Sequence, residues 1–130
     1  AANDLSTSCI FAGRVSDIED YYSVMDVLFA PSKYEGLPIN LIEAQASGLP
    51  VAMSDSITEE VVIAPALCVR DNLSSKADDW ASDVIDLAAA FGNRELGLTH
   101  WVEAICAAGY SQPECFNKVF ERYRALALCR

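Results

Sequence analysis

The chain is short of positive charge. Nine Lys and Arg stand against nineteen Asp and Glu, a net charge of -10 over 130 residues. With no basic stripe to release counterions from a phosphate backbone, nucleic acid is excluded as a partner. The sequence has one histidine, His100, and no Cys-x-x-Cys, so no ligand pair has metal-like spacing and His100 reads as a surface or helix-cap residue. No apolar run reaches the roughly 18 residues of a membrane-spanning helix. The opening Ala1-Ala2-Asn3-Asp4-Leu5 lacks the positive and apolar regions of a signal peptide. It also lacks Met and begins in a polar stretch, which reads as a cut made inside a longer protein. No internal repeat, low-complexity tract or linker is present, and residues 1–130 read as one domain.

Five cysteines are present, an odd number. Cys9 and Cys68 fall in strand-like apolar runs, Cys106 and Cys115 in helix-like runs, and Cys129 near the end. They read as reduced, mostly buried thiols of a cytosolic protein. Hydrophobic residues make up 52% and charged residues 22%, the balance of a globular chain rather than a disordered one.

Strand and helix signals alternate. Residues 9–13 form a short apolar run ending in Gly13 and read as a strand. Residues 17–25 read as a helix, with Ser16 as N-cap and Glu19 completing a capping box. Residues 27–30 are the next strand. Residues 38–47 are a helix stopped by Gly48 and Pro50, with Leu37, Leu41, Ala44 and Gly48 on the face that meets the sheet. A strand at 50–53, a helical turn at 58–62 and a fourth strand at 66–69 follow. Helices at 78–91, 99–108 and 113–129 complete the chain. Trp80 and Trp101 read as core-facing anchors, Asp78 and Asp79 as a first-turn acid pair. Strands separated by helical segments imply an α/β fold, a Rossmann-like parallel sheet with flanking helices. Four strands make a small sheet, so an N-terminal portion is expected to be missing.

The most informative segment joins the strand 27–30 to the helix 38–47. A strand, a tight loop and a helix N-terminus together form an anion site in open α/β sheets. Gly36 permits close backbone approach or positive φ, and Pro38 suits the first turn. Backbone amides from Gly36 to Leu41, Pro38 excepted, are candidates to face a ligand. Glu35 lies in the loop and Glu43 inside the helix, and Lys33 is the nearest basic side chain. On these residues alone two readings stay open: a ligand site, or a loop where Glu35 merely favours the helix start and Glu43 is solvated.

Three stretches carry a resemblance: Phe11-Ala12-Gly13-Arg14, the run from Asp26 to Pro38, and Glu43-Ala44-Gln45-Ala46-Ser47-Gly48-Leu49-Pro50-Val51. They closely resemble the retaining nucleotide-sugar glycosyltransferases of the GT-B fold, family 4 (group 1), in their C-terminal donor-binding domain. Glu35 and Glu43 have the family's Glu-x7-Glu spacing. Ser54-Asp55, Ile57-Thr58-Glu59-Glu60 and Gly109-Tyr110 look like its bacterial polysaccharide-biosynthesis branch.

The resemblance implies roles. Glu43 would accept hydrogen bonds from the ribose hydroxyls of the donor, and Glu35 would lie beside the transferred sugar as the catalytic-site carboxylate. The amides of Gly36, Leu37, Asn40 and Leu41 would contact sugar and diphosphate, with Lys33 at a motif position that is often basic. The segment holding Gly13 and Arg14 would lie close to the base. The donor would be a nucleotide-diphosphate sugar, UDP- or GDP-linked, the acceptor a glycan or lipid-linked hydroxyl, and no metal or other cofactor would be needed. The family's N-terminal acceptor domain and its upstream Arg and Lys would be missing partners. The enzyme would be cytoplasmic, peripheral to the inner membrane face when whole.

The isolated chain would then have little or no turnover, and it would self-associate through its C-terminal helix. The alternative is a truncated, non-catalytic fragment that binds nucleotide sugar weakly or serves only as a folding unit. A flavodoxin-like or epimerase domain is disfavoured because no Gly-x-Gly-x-x-Gly follows a strand. The absence of Asp-x-Asp removes support for a metal-bridged diphosphate.

Overall fold

A computed structural model of the chain describes residue 5, residues 7–92, residues 98–111 and residue 113. The expected C-terminal helix, its proposed self-association, Cys115 and Cys129 lie outside the described residues. The elements run α1 (Ile18–Val24), β1 (Leu28–Ala30), α2 (Ile39–Ala46), β2 (Val51–Ser54), two 3-10 turns (Glu59–Val61 and Pro65–Leu67), β3 (Cys68–Asp71), α3 (Ala77–Ala90) and α4 (Leu98–Ala107).

The sheet has three parallel strands in the order β1-β2-β3. Leu28 pairs with Val51 and Val51 with Cys68, and the register continues to Ser54 opposite Asp71. Central β2 is buried along its whole length, as a parallel strand covered on both faces must be. Side-chain alternation sorts the two layers. Leu28, Ala30, Val51 and Met53 join the cluster formed with Tyr22, Leu41, Ala44, Val61 and Ile105, from α1, α2, the first 3-10 turn and α4. Phe29 points the other way and meets Trp80 of α3 edge-on, ring centroids 5.2 Å apart. Phe29 and Trp80 also line an open apolar groove of about 640 Å³ that runs past Pro31, Leu73 and Val84.

Two helices end the same way. After α2, Leu49 N–H donates to Ala44 C=O at 2.9 Å and Gly48 N–H to Gln45 C=O at 3.0 Å, with Gly48 at φ +67°. After α4, Tyr110 donates to Ile105 at 3.2 Å and Gly109 to Cys106 at 2.8 Å, with Gly109 at φ +87°. This pair of bonds closes a helix through a left-handed residue, where glycine avoids the Cβ penalty. The expected stops at Gly48 and Gly109 therefore have a geometric cause.

Four expectations are corrected. Residues 9–13 are not a strand: they have no partner strand among the described residues, and Ile10 and Phe11 are 93% and 98% exposed. A strand exists through its ladder, so an apolar run without a neighbour does not become one. Cys9, in that run, is exposed rather than buried. By contrast, burial pushes the Cys68 thiol up to about 12. The capping box at Ser16 does not form. Asp17 is the N-cap of α1, and Ser16 Oγ donates to Asp17 Oδ2 at 2.9 Å, leaving neither side chain on the helix backbone. Leu37 precedes the first turn of α2 and stays 40% exposed, while Leu41, Ala44 and Gly48 are buried as the periodicity predicts.

The other segments fall where expected to within a residue or two. The turn at 58–62 is a 3-10 turn capped by Thr58 Oγ1. Trp80 is buried and Trp101 half-buried, while His100 is an exposed residue of α4. Asp78 and Asp79 lie in the first turn of α3, where the Asp79 carboxylate receives Lys76 N–H at 3.2 Å.

Gln45 is fully buried, and its amide is fully used. Nε2 donates to Leu41 C=O at 2.9 Å and to Val61 C=O at 2.7 Å. Oε1 accepts Ile63 N–H at 3.0 Å and Ala64 N–H at 2.9 Å. Replacing it with Leu strands the Ala64 amide and leaves Ile63 N–H and Val61 C=O only the bond they make to each other at 3.1 Å; a stranded buried amide costs roughly 1–3 kcal/mol. We expect Gln45→Leu to lower unfolding free energy by about 2 kcal/mol in urea denaturation; a loss under about 0.5 kcal/mol would contradict this role for the buried amide.

Candidate active site

The site is assembled at the carboxyl ends of the strands, where β1 and β2 release their loops. Ser54, the last residue of β2, is buried, and its Oγ donates to the Ser32 carbonyl at 2.5 Å. That bond clamps the loop leaving β1 onto the neighbouring strand. Ser32 Oγ then donates to Glu35 Oε1 at 2.9 Å. Glu35 is exposed, as are Lys33 and Tyr34 beside it. A path of two hydroxyls thus runs from the buried end of the sheet to a carboxylate in solvent.

The loop ends at Pro38, the N-cap of α2, which provides no side-chain cap. The first turn of α2 carries neither an acidic nor a basic residue. Amides at a helix start have no intrahelical acceptor, and the dipole there favours negative charge. Leu41 N–H is already used, donating to Pro38 C=O at 3.1 Å, and the Leu41 side chain is buried. Asn40 is exposed on the same turn. Gly36 does not have positive φ, and a Cβ built on it would meet nothing within 4 Å. Neither local strain nor crowding requires a glycine, and the space beside it is open.

Glu43 lies one turn further along α2 and is exposed. Its Oε2 accepts a hydrogen bond from Tyr22 Oη at 3.2 Å. Tyr22 is 4% exposed and belongs to α1, so a buried ring delivers one polar atom to a surface carboxylate. Glu35 and Glu43 therefore occupy the same strand–loop–helix unit, one on each side of the uncapped helix start. Gly13, at φ +67°, and Arg14 lie in the exposed segment ahead of α1; no described contact joins them to the two glutamates.

A family model for the group 1 glycosyl transferases matches residues 1–90, a stretch that carries all three strands and the whole of this loop. The chain belongs to the group 1 glycosyltransferases. EpsF of Bacillus subtilis (strain 168), provisionally named a glycosyltransferase, is 44% identical over 87 residues, 67% of this chain and 23% of that protein. The lipopolysaccharide core biosynthesis mannosyltransferase LpsB of Rhizobium meliloti (strain 1021) is 33% identical over 88 residues, 67% of this chain and 24% of that protein. A glycosyltransferase of Haemophilus influenzae, named as uncharacterized, is 42% identical over 50 residues, 38% of this chain and 14% of that protein. The matched stretch is thus about a quarter or less of the length of these relatives. No solved structure gives a significant match.

In this group 1 glycosyltransferase chain, the residues that hold the glutamates were not singled out by motif or spacing. Ser32 and Ser54 carry no sequence signal, because a hydroxyl-to-carbonyl bond across adjacent strands has no fixed spacing. Tyr22 had a weak one: a Tyr on the apolar face of an amphipathic helix usually needs a partner for its hydroxyl. On the other side of β2, Arg70 ties β3 to the loop after β2. Its Nη2 donates to Ile57 C=O at 2.7 Å and Asp55 C=O at 3.0 Å, and its Nη1 to Glu59 Oε1 at 2.7 Å. Asp71, next in β3, has its carboxyl pKa raised by burial and by the nearby Asp83, Asp79 and Asp55.

Burial, then the Glu43 charge and hydrogen bond, push the Tyr22 phenol up to about 12 from its ordinary 10. The unfolded chain releases this proton first, so its contribution to stability is full below pH 10 and lost between 10 and 12. Cys68 adds a loss beginning near pH 9. We expect unfolding free energy to fall above pH 9, with a flatter slope in Tyr22→Phe over pH 10–12. Equal slopes in denaturation curves across that range would contradict the assignment.

Proposed function

We propose that this chain is the donor-binding part of a retaining glycosyltransferase of the GT-B fold, family 4, placed in the C-terminal half of the whole enzyme. The whole enzyme would move a hexosyl group from a UDP- or GDP-linked donor to a hydroxyl of a glycan or lipid-linked acceptor. The observation that carries this reading is the uncapped start of α2 standing between Glu35 and Glu43.

Each part has work suited to it. An ionised carboxylate is acceptor-only and matches a diol, so Glu43 takes the ribose hydroxyls. Amides at the start of α2 face the diphosphate, whose charge grows as the anomeric carbon–oxygen bond breaks and the electron pair stays with the leaving phosphate. Gly36 lets the donor approach the backbone, and Asn40 and Lys33 flank it. Glu35, held by Ser32, lies against the sugar, where its charge favours the positive character developing at the anomeric carbon. The two glutamates sit on one loop and its helix, an arrangement suited to holding a donor rather than to a glycosidase acid–nucleophile pair across a scissile bond. Gly13 and Arg14 are assigned to the base side.

With a net charge of -10, the chain does not attract phosphate through its global field, so local dipoles carry that task. A second domain, holding the acceptor site and the cations that neutralise the leaving diphosphate, is part of this reading. So is a place at the cytoplasmic face of a membrane, where lipid-linked acceptors are found. The mannosyl transfer in the name of LpsB falls within the same hexosyl class. No metal or other cofactor is assigned.

Calorimetric titration with UDP, GDP and their hexose conjugates tests this. We expect binding that weakens about tenfold or more in Glu43→Ala. Gly36→Ala is the sharper probe. Its unfolding free energy should hold or rise, by about 0.4–1 kcal/mol from reduced unfolded-state entropy, while donor affinity falls. No binding at millimolar donor, or unchanged affinity in both variants, would overturn the assignment.

A further inference from the structure

We propose that Tyr22 is a positioning residue for the donor site: its hydroxyl fixes the Glu43 carboxylate so that one oxygen remains aimed at the ribose diol. This rests on the donor-binding reading of Glu43 given above.

The argument starts from geometry. A glutamate on an exposed helix face is free to sample several rotamers, and binding a diol requires one of them to be selected. Tyr22 Oη donates to Oε2 of Glu43 at 3.2 Å. A carboxylate has about four lone-pair sites, so this bond uses one on Oε2, and Oε1 accepts no hydrogen bond among the described residues. Tyr22 itself cannot wander. Its ring is 4% exposed and packs in the cluster with Leu41, Ala44 and Met53. The two residues are 21 positions apart and sit on different helices, so the bond passes the rigidity of the core to the carboxylate. The same logic recurs at the other glutamate, where Ser32 Oγ engages Oε1 of Glu35 and is itself on a loop clamped by Ser54. A buried tyrosine needs a partner for its hydroxyl; here the ring stays inside and the partner is a carboxylate on the surface of another helix. The upward shift of its phenol, caused first by burial and then by Glu43, agrees with that contact.

The test uses the chain with two probes, UDP and 2′,3′-dideoxy-UDP, and three variants: Tyr22→Phe, Glu43→Ala and the double substitution. Phe keeps the buried ring, and the carboxylate it abandons is exposed to water, so the fold is retained; thermal unfolding checks this. We expect Tyr22→Phe to weaken UDP about 3- to 10-fold, to leave dideoxy-UDP unchanged, and to add nothing in the Glu43→Ala background. A merely structural tyrosine would weaken both nucleotides alike, and that result overturns the inference. So does unchanged UDP affinity in Tyr22→Phe while Glu43→Ala binds poorly, because Glu43 then acts without help. Additive losses in the double variant overturn it as well. If Glu43→Ala binds both nucleotides as the unsubstituted chain does, or the unsubstituted chain binds neither, the donor-site reading itself falls, and this inference falls with it.

Discussion

The buried amide of Gln45 is the constraint on which the arrangement turns. A carboxamide in an apolar core is costly unless all its hydrogen-bonding capacity is met. Here it is met by three backbone groups of residues 61–64 and one of its own helix. The segment between β2 and β3 contains only two short 3-10 turns, which have little stability of their own. Gln45 supplies the backbone partners that a crossover helix would have made internally. The first turn is then held against α2, Val61 and Ile57 enter the core, and β3 begins where it can pair with β2. Arg70 closes the same segment from the other side through the Asp55 and Ile57 carbonyls. Its ion pair with Glu59 adds little, because that carboxylate is 85% exposed.

The site borrows its rigidity from this frame. Glu35 and Glu43 are both on the surface, yet each is met by a hydroxyl whose own place is fixed from beneath. The helix start between them has no competing side-chain cap. Cost and benefit are thereby separated: water still solvates both carboxylates, so their charge is not expensive, while Glu43 is directed by a buried tyrosine and Glu35 by a half-buried serine on a clamped loop. This suits a chain with a net charge of -10, where burying two more anions would be unfavourable.

Local periodicity made much of the fold legible. The spacing of Leu41, Ala44 and Gly48 gave α2 its buried face, and the glycine after the last apolar residue marked the end of both α2 and α4. Paired glutamates in a strand–loop–helix segment pointed to the carboxyl end of the sheet, where the loop after β1 lies. What stayed hidden depends on partners distant in sequence. Residues 9–13 look like a strand until one asks which strand would pair with them. Ser16, Asp17 and Glu19 spell a capping box, but Ser16 and Asp17 satisfy each other first. Gln45 lies four residues after Leu41 and so falls on the buried face by spacing, but its polar side chain alone reads as outward. Tyr22 reads as a core residue, which it is, and nothing local indicates that its hydroxyl reaches a carboxylate on another helix.

The Schellman closure of α2 at Gly48 also makes the helix a ruler. Between the clamped loop and that left-handed glycine, each residue advances the side chains by about 100°. One residue inserted after Pro38, with the end at Gly48 held, would swing Glu43 off Tyr22 and turn Gln45 out of the core. Natural variation in this segment should therefore consist of replacements at constant length.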